Sequence, residues 1–212
     1  MKTSLRHIAA LVLALVAGSC RTPASPPIVQ PGAPGEAARV ITVDKAVDLS
    51  RVQHTAADAR FMQGMIGHHA QALEMTALLT SRTESESMRK LALRIQLSQA
   101  DEIQMMQRWL EARGLQVPNE HARHMHGATL MPGMLTPEEM ERLAGASGAA
   151  FDRLFLDFMI KHHEGALIMV KELFSTPGAG QESEIFAFAS DVDADQRMEI
   201  DRMRGMLREL QK

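Results

Sequence analysis

Read for its apolar and polar positions, the chain carries two long stretches in which apolar residues recur every three or four positions. Met88, Ala92, Ile95, Gln99, Ile103, Met106 and Leu110 are spaced 4, 3, 4, 4, 3, 4, and Ile185, Ala189, Val192, Gln196, Ile200, Met203 and Leu207 repeat that spacing 97 residues later. This alternation is the stripe of an amphipathic helix, since a strand would alternate every second residue. Upstream of each stripe lies a second repeated segment. Phe61 to Met75 (FMQGMIGHHAQALEM) returns at Phe155 to Met169 (FLDFMIKHHEGALIM), with Phe61, Met65, Ile66, His68, His69, Ala72, Leu73 and Met75 each meeting the same residue type at an offset of 94. Here too the spacing is helical: Phe61, Met65, His68 or His69, Ala72, Thr76 and Leu79 in the first copy, and Phe155, Met159, His162 or His163, Ala166, Val170 and Leu173 in the second.

Boundary residues agree with this division. Thr55 with Asp58, and Thr83 with Glu86, suit helix starts. Gly114 suits a helix end. Thr136, Pro137 and Glu139 look like the cap, first turn and capping-box acid of a short extra helix, and Pro177 with Gly178 punctuates the second copy. The pattern predicts helices near 56–81, 84–113, 148–174 and 182–211. Short loops make each pair an antiparallel hairpin (51–114 and 147–212), and two hairpins with one greasy stripe each are expected to close into an all-α four-helix bundle.

Composition sharpens this picture without changing it. The 212 residues are 45% hydrophobic and 23% charged with a formal net charge of -3, which excludes a disordered polar chain and advertises no basic surface for nucleic acid. The first twenty residues read as an address: Lys2 and Arg6, an apolar run from Ile8 to Val16, then Ala17, Gly18 and Ser19 before the single cysteine, Cys20. The small residues before Cys20 suit a lipobox, with an ordinary cleaved signal as the other reading. A membrane is therefore expected only through a lipidated Cys20, on an exported protein of the cell envelope or periplasm. Residues 21–50 read as a flexible spacer, because Arg21 to Glu36 alone hold five of the nine prolines. No phosphate loop, nucleotide fingerprint or nucleophile elbow is present, and an enzyme is not expected.

The unusual counts are 16 Met and 9 His against no Tyr and one Trp. Met65 precedes His68 by three residues and Met159 precedes His162 by three, so a thioether and an imidazole lie one turn apart on each of two helices. Soft sulfur with imidazole and no thiolate suits monovalent copper or silver better than magnesium, calcium or manganese. Gln99 and Gln196 interrupt the other two stripes, with Glu102 and Met106, and Glu199 and Met203, following them, so these residues could orient the histidines. The same residues also suit a Met-rich packed core whose histidines are satisfied by Gln and Glu. The connection from Leu115 to Leu135 is long for a bundle and carries His121, His124, Met125, His126, Met131 and Met134, which suits either an exposed capture segment for soft metal or a mobile linker whose methionines tuck against the bundle.

Two copies of Met-x-x-His-His-x-x-Ala-x-x-Met, two of Gln-x-x-Glu-Ile-x-x-Met, and Met131-Pro132-Gly133-Met134-Leu135-Thr136 between them make residues 54 to 211 resemble the bacterial DUF305 family. The resemblance implies a ferritin-like helical bundle. It also implies, from family members that are periplasmic and bind copper or silver through Met and His in support of copper tolerance, ligands at Met65, His68, His69 and Met75 and at Met159, His162, His163 and Met169. The expected function is an envelope protein that binds copper(I) or silver for sequestration or delivery, with copper-handling envelope proteins as partners. Two alternatives stand beside it: a ferritin-like di-metal oxidase using iron or manganese, whose Glu-x-x-His pairs are absent from both His-His helices, and a structural or partner-binding bundle without metal.

Overall fold

The structure is a computed structural model and describes residues 26–30, 37–47, 52–118 and 130–210. The chain divides into two compact units, Met1–Asp48 and Leu49–Lys212. In the first, β1 (Ile28–Gln30) pairs antiparallel with β2 (Arg39–Ile41), Val29 opposite Val40, and is followed by a single helical turn, α1 (Val43–Ala46). This small ribbon falls within the stretch expected as a flexible spacer. Three β-branched residues, Ile28, Val29 and Val40, favour extended pairing there, yet all stay exposed, so the ribbon builds no core. Residues 1–25, with the signal-like run and Cys20, lie outside the described residues.

The second unit is helical. Its first long helix, α2 (Ala56–Ala77), starts on Thr55, whose hydroxyl accepts from the Asp58 backbone N–H at 3.2 Å while the Asp58 carboxylate accepts from the Thr55 N–H at 2.6 Å. It ends four residues before the expected position. The Leu78 N–H reaches the Met75 carbonyl, a tightened last turn, and a short helical turn, α3 (Leu79–Arg82), follows. The cap of α4 (Glu86–Ala112) is Ser85 rather than Thr83: the Ser85 hydroxyl accepts from Met88, and the Thr83 hydroxyl accepts from the Ser85 N–H, holding the loop. Gly114, at φ 63°, closes α4 with the paired bonds Leu115 N–H to Leu110 and Gly114 N–H to Glu111. The short helix α5 (Pro137–Gly145) starts on the Thr136–Glu139 capping box, and α6 (Gly148–Ser175) and α7 (Ser183–Glu209) complete the bundle.

Helices α2 and α4 form one hairpin, α6 and α7 the other, and the hairpins meet through α2 against α6. Two apolar clusters fill the interior. One holds Met65, Met106, Trp109 and Leu110 of the first copy with Met169, Val170 and Phe188 of the second; the other holds Met75, Met88 and Ile95 with Phe155, Met159 and Met203. Residues equivalent in the two copies fall in opposite clusters, which is what a two-fold relation between antiparallel α2 and α6 requires. Among the described residues no helix is long and apolar enough to cross a membrane.

Candidate metal centre

The two clusters are separated along the bundle by a belt of buried polar side chains. His68, His69, His162 and His163 are all fully buried, and Gln99, Gln196 and Glu199 are buried with them. Adjacent positions on a helix point about 100° apart. Here α2 is contacted on two sides, so both imidazoles are covered by different neighbours. His68 turns to α6 and stacks on His162, ring centroids 3.8 Å apart, while His69 turns to α4 and meets Glu102. In the second copy His162 turns to α2 and His163 to Glu199 on α7.

Each ring uses the same nitrogen. His68 Nε2 donates to the Pro132 carbonyl at 3.0 Å and His162 Nε2 to the His68 carbonyl at 3.0 Å; His69 Nε2 lies 2.5 Å from a Glu102 oxygen and His163 Nε2 2.7 Å from a Glu199 oxygen. A carbonyl or carboxylate oxygen accepts, so each Nε2 carries a proton, and in a neutral ring the lone pair then lies on Nδ1. Among the described residues, all four Nδ1 atoms are buried without a hydrogen-bond partner. Burial, reinforced by neighbouring imidazoles, holds His68 down to about 3 and His162 well below the usual histidine range, although each backbone hydrogen bond pulls the other way. These two rings are neutral at neutral pH. A buried imidazole lone pair with nothing to accept is costly unless something fills it. Ring N–H groups tied to a carboxylate or carbonyl, with the other nitrogen free, form the arrangement that metal-bound histidines adopt.

Thioethers flank the belt. Met65 sits one turn before His68 and His69, on the side toward which helical side chains lean, and shares its cluster with Met169; Met159 stands in the same relation to His162 and His163 and shares its cluster with Met75. Met106 and Met203 lie one in each cluster. Glu102 and Glu199 hold imidazoles, whereas both amide atoms of Gln99 and the Gln196 oxygen make no hydrogen bond among the described residues. No three His, Cys, Asp or Glu side chains among the described residues come together as a metal-holding group. Imidazole nitrogen and thioether sulfur are donor types that suit a soft monovalent ion.

Sequence reasoning allowed for linker methionines tucked against the bundle but missed where the backbone of the connector sits. The Met131–Leu135 segment lies in the groove between α2 and α6: the Gln71 side chain donates to the Leu135 carbonyl at 2.9 Å and accepts from the Leu135 N–H at 2.8 Å, beside the His68 bond to Pro132. On the α6 side the backbone comes so close that a Cβ on Gly165 would lie 2.0 Å from the Pro132 oxygen. At the 94-residue offset Gly165 is the counterpart of Gln71, so one copy supplies the amide and the other the space. That mismatch between otherwise matching copies was the available signal. Met131 reaches Gly64 beside Met169, and Met134 is half-buried. His121, His124, Met125 and His126 lie outside the described residues.

Comparison with known proteins gives a consistent picture. The model of the family described as domain of unknown function (DUF305) matches residues 58–207. Among solved structures, a DUF305 protein from Streptomyces coelicolor named as secreted is 32% identical, with a TM-score of 0.61 over 73% of this chain and 93% of that one. A DUF305 fragment from Deinococcus radiodurans is 32% identical with a TM-score of 0.62, covering 74% and 98%. CopM in its Cu(II)-bound form is 27% identical with a TM-score of 0.60, covering 72% and 96%, and CopM has also been solved with Cu(I) and with Ag. An uncharacterized protein of Acanthamoeba polyphaga mimivirus is 36% identical over 66 residues, a stretch that spans 43% of that protein.

Proposed function

Because this chain belongs to the DUF305 family, we propose that it is an exported protein of the cell envelope that binds copper(I) or silver for sequestration or delivery. The reading rests on one observation above the others: four fully buried imidazoles, each with Nε2 committed to an oxygen and Nδ1 left without a partner among the described residues, between two clusters that contain methionine sulfur. Likeness to CopM, solved with copper and with silver, supports the choice of ion.

We assign the ligands to two related sets. Met65, His68 and His69 act with Met169 across the helix interface, and Met159, His162 and His163 act with Met75. Glu102, Glu199 and the carbonyls of Pro132 and His68 hold the rings so that the lone pairs are presented without rearrangement. The ion is cargo, and copper-handling proteins of the envelope are its donors or acceptors. Cys20 anchors the chain by a lipid, and the histidines and methionines of residues 115–135 serve as an outer capture segment. An oxidase built on iron or manganese finds less support, since Glu102 and Glu199 each hold one imidazole and neither His-His helix carries a Glu-x-x-His pair.

Competition between the protein and a chromophoric copper(I) chelator tests the assignment. Replacing His68, His69, His162 and His163 together should abolish copper(I) binding with helicity largely retained. Replacing Met65, Met75, Met159 and Met169 with Leu conserves volume, so it preserves the fold while removing sulfur, and affinity should drop at least tenfold. Unchanged affinity in both variants would discard the buried belt as the site.

A further inference from the structure

The two Glu–His pairs of the belt are chemically alike but differ in their access to solvent. Glu102 lines a groove of about 780 Å³ between α4 and α7, together with Asp101, Met105, Trp109, Asp191 and Asp195. Its side chain is 22% exposed while holding His69. Glu199, its counterpart 97 residues on, is 6% exposed while holding His163, and Arg94 lies across it with Nε 3.7 Å from the carboxylate.

The repeat shows why. At the same offset, Asp191 of the groove is the counterpart of Arg94, Asp195 of Ser98, and Asp101 of Met198. One copy therefore surrounds its carboxylate with further acids, and the other covers it with a cation. Among the described residues, five carboxylates and two guanidinium groups line the groove, and one of those guanidiniums, Arg113, is already paired with Glu182 and with Glu184, itself one of the five. A net-acidic concavity with apolar walls focuses the field on a small cation approaching it. Met105 lines its wall, and through Glu102 the groove touches a buried imidazole.

We infer that the α4–α7 groove is the way in for the monovalent ion, that the Asp191 side admits it toward His69, and that Arg94 keeps the equivalent approach to His163 closed. This rests on the metal reading above and adds a direction and an order of loading to it. Groove charges that the bound ion does not touch act chiefly on its rate of arrival and on the salt dependence of that rate.

Charge exchange between equivalent positions tests the inference. Asp191 is exposed and Arg94 is 57% exposed, so the Asp191→Arg and Arg94→Asp exchanges are both made at the surface. The protein is mixed with silver nitrate in chloride-free buffer, sampled by rapid quench, and the retained silver measured, with retention at equilibrium measured by dialysis. Asp191→Arg should slow uptake about tenfold at low ionic strength, the loss shrinking as salt rises, and Arg94→Asp should quicken it. Both should retain the wild-type amount at equilibrium. Uptake by Asp191→Arg at the wild-type rate, with retention intact, overturns the groove as entrance and leaves the metal site standing. Failure of the wild-type protein to retain silver at all overturns the metal reading and the entrance with it.

Discussion

Replacing Gly165 with alanine adds one methyl group to the middle of a long helix, a change that normally stabilises. Here the new Cβ would stand 2.0 Å from the Pro132 oxygen, 2.4 Å from its carbonyl carbon and 2.5 Å from the Gly133 Cα, all backbone atoms that cannot swing aside. The connector must retreat by about 1 Å or more to restore ordinary contact. That retreat breaks the His68 bond to Pro132 and the two Gln71 bonds to Leu135. At about 1 kcal/mol for each hydrogen bond, the loss is about 3 kcal/mol. The better helix propensity of alanine offsets about 1 kcal/mol, so Gly165→Ala should destabilise by about 2 kcal/mol. Gly205 supplies the control: it lies within α7, and a Cβ there would meet only the tip of Arg208 at 3.8 Å. Gly205→Ala should therefore stabilise by about 1 kcal/mol. Urea unfolding followed by far-UV circular dichroism reads both, and an unchanged slope shows that the two curves are comparable. If Gly165→Ala proves as stable as Gly205→Ala, the connector is not seated on α6 as described.

Acid should weaken the fold in a defined window. His68 titrates near 3 in the folded chain, mainly because it is buried, and His162 is displaced in the same direction, whereas an unfolded histidine titrates near 6.5. Below about pH 6.5 the unfolded chain binds protons that the folded chain refuses, so stability is complete above that pH and falls as pH drops toward 3, by about 1 kcal/mol per pH unit for each ring. Urea midpoints at about pH 7.5 and about pH 5 check this, and equal midpoints would contradict the neutral buried rings. Trp109 donates from Nε1 to Glu182 at 3.2 Å, under the Arg113 guanidinium 4.3 Å from its ring. Trp109→Phe should cost about 2 kcal/mol in the same urea assay, through the lost bond to a charged acceptor and the smaller ring.

Much of the architecture was legible because it is written twice. A helical stripe repeated at a fixed offset gives the number of helices, their pairing and the bundle, and these depend only on periodicity and burial. Helix ends were less legible. Thr83 and Ser85 are both competent caps, and the choice between them follows from the path of the loop, which local sequence does not carry. The orientation of the histidines was hidden for a different reason. Treating each stripe as one line forces a choice between His68 and His69, but a bundle helix that touches two neighbours buries an arc wide enough for both. The connector seat and the acidic groove could have been noticed as disagreements between the copies, Gln71 against Gly165 and Asp191 against Arg94. Their meaning needed the knowledge of which faces meet.

One strap laid over a two-fold axis cannot treat both sides alike. Wherever the Met131–Leu135 segment crosses, one helix must grip it and the other must give way, and Gln71 and Gly165 record that division of labour. Two identical hairpins could still associate, but each would bring Gln71 and neither would bring a glycine at that place. Joining the halves into one chain therefore freed them to diverge, and an unequal pair of half-sites is what such a covalent union permits and a self-associating half would forbid.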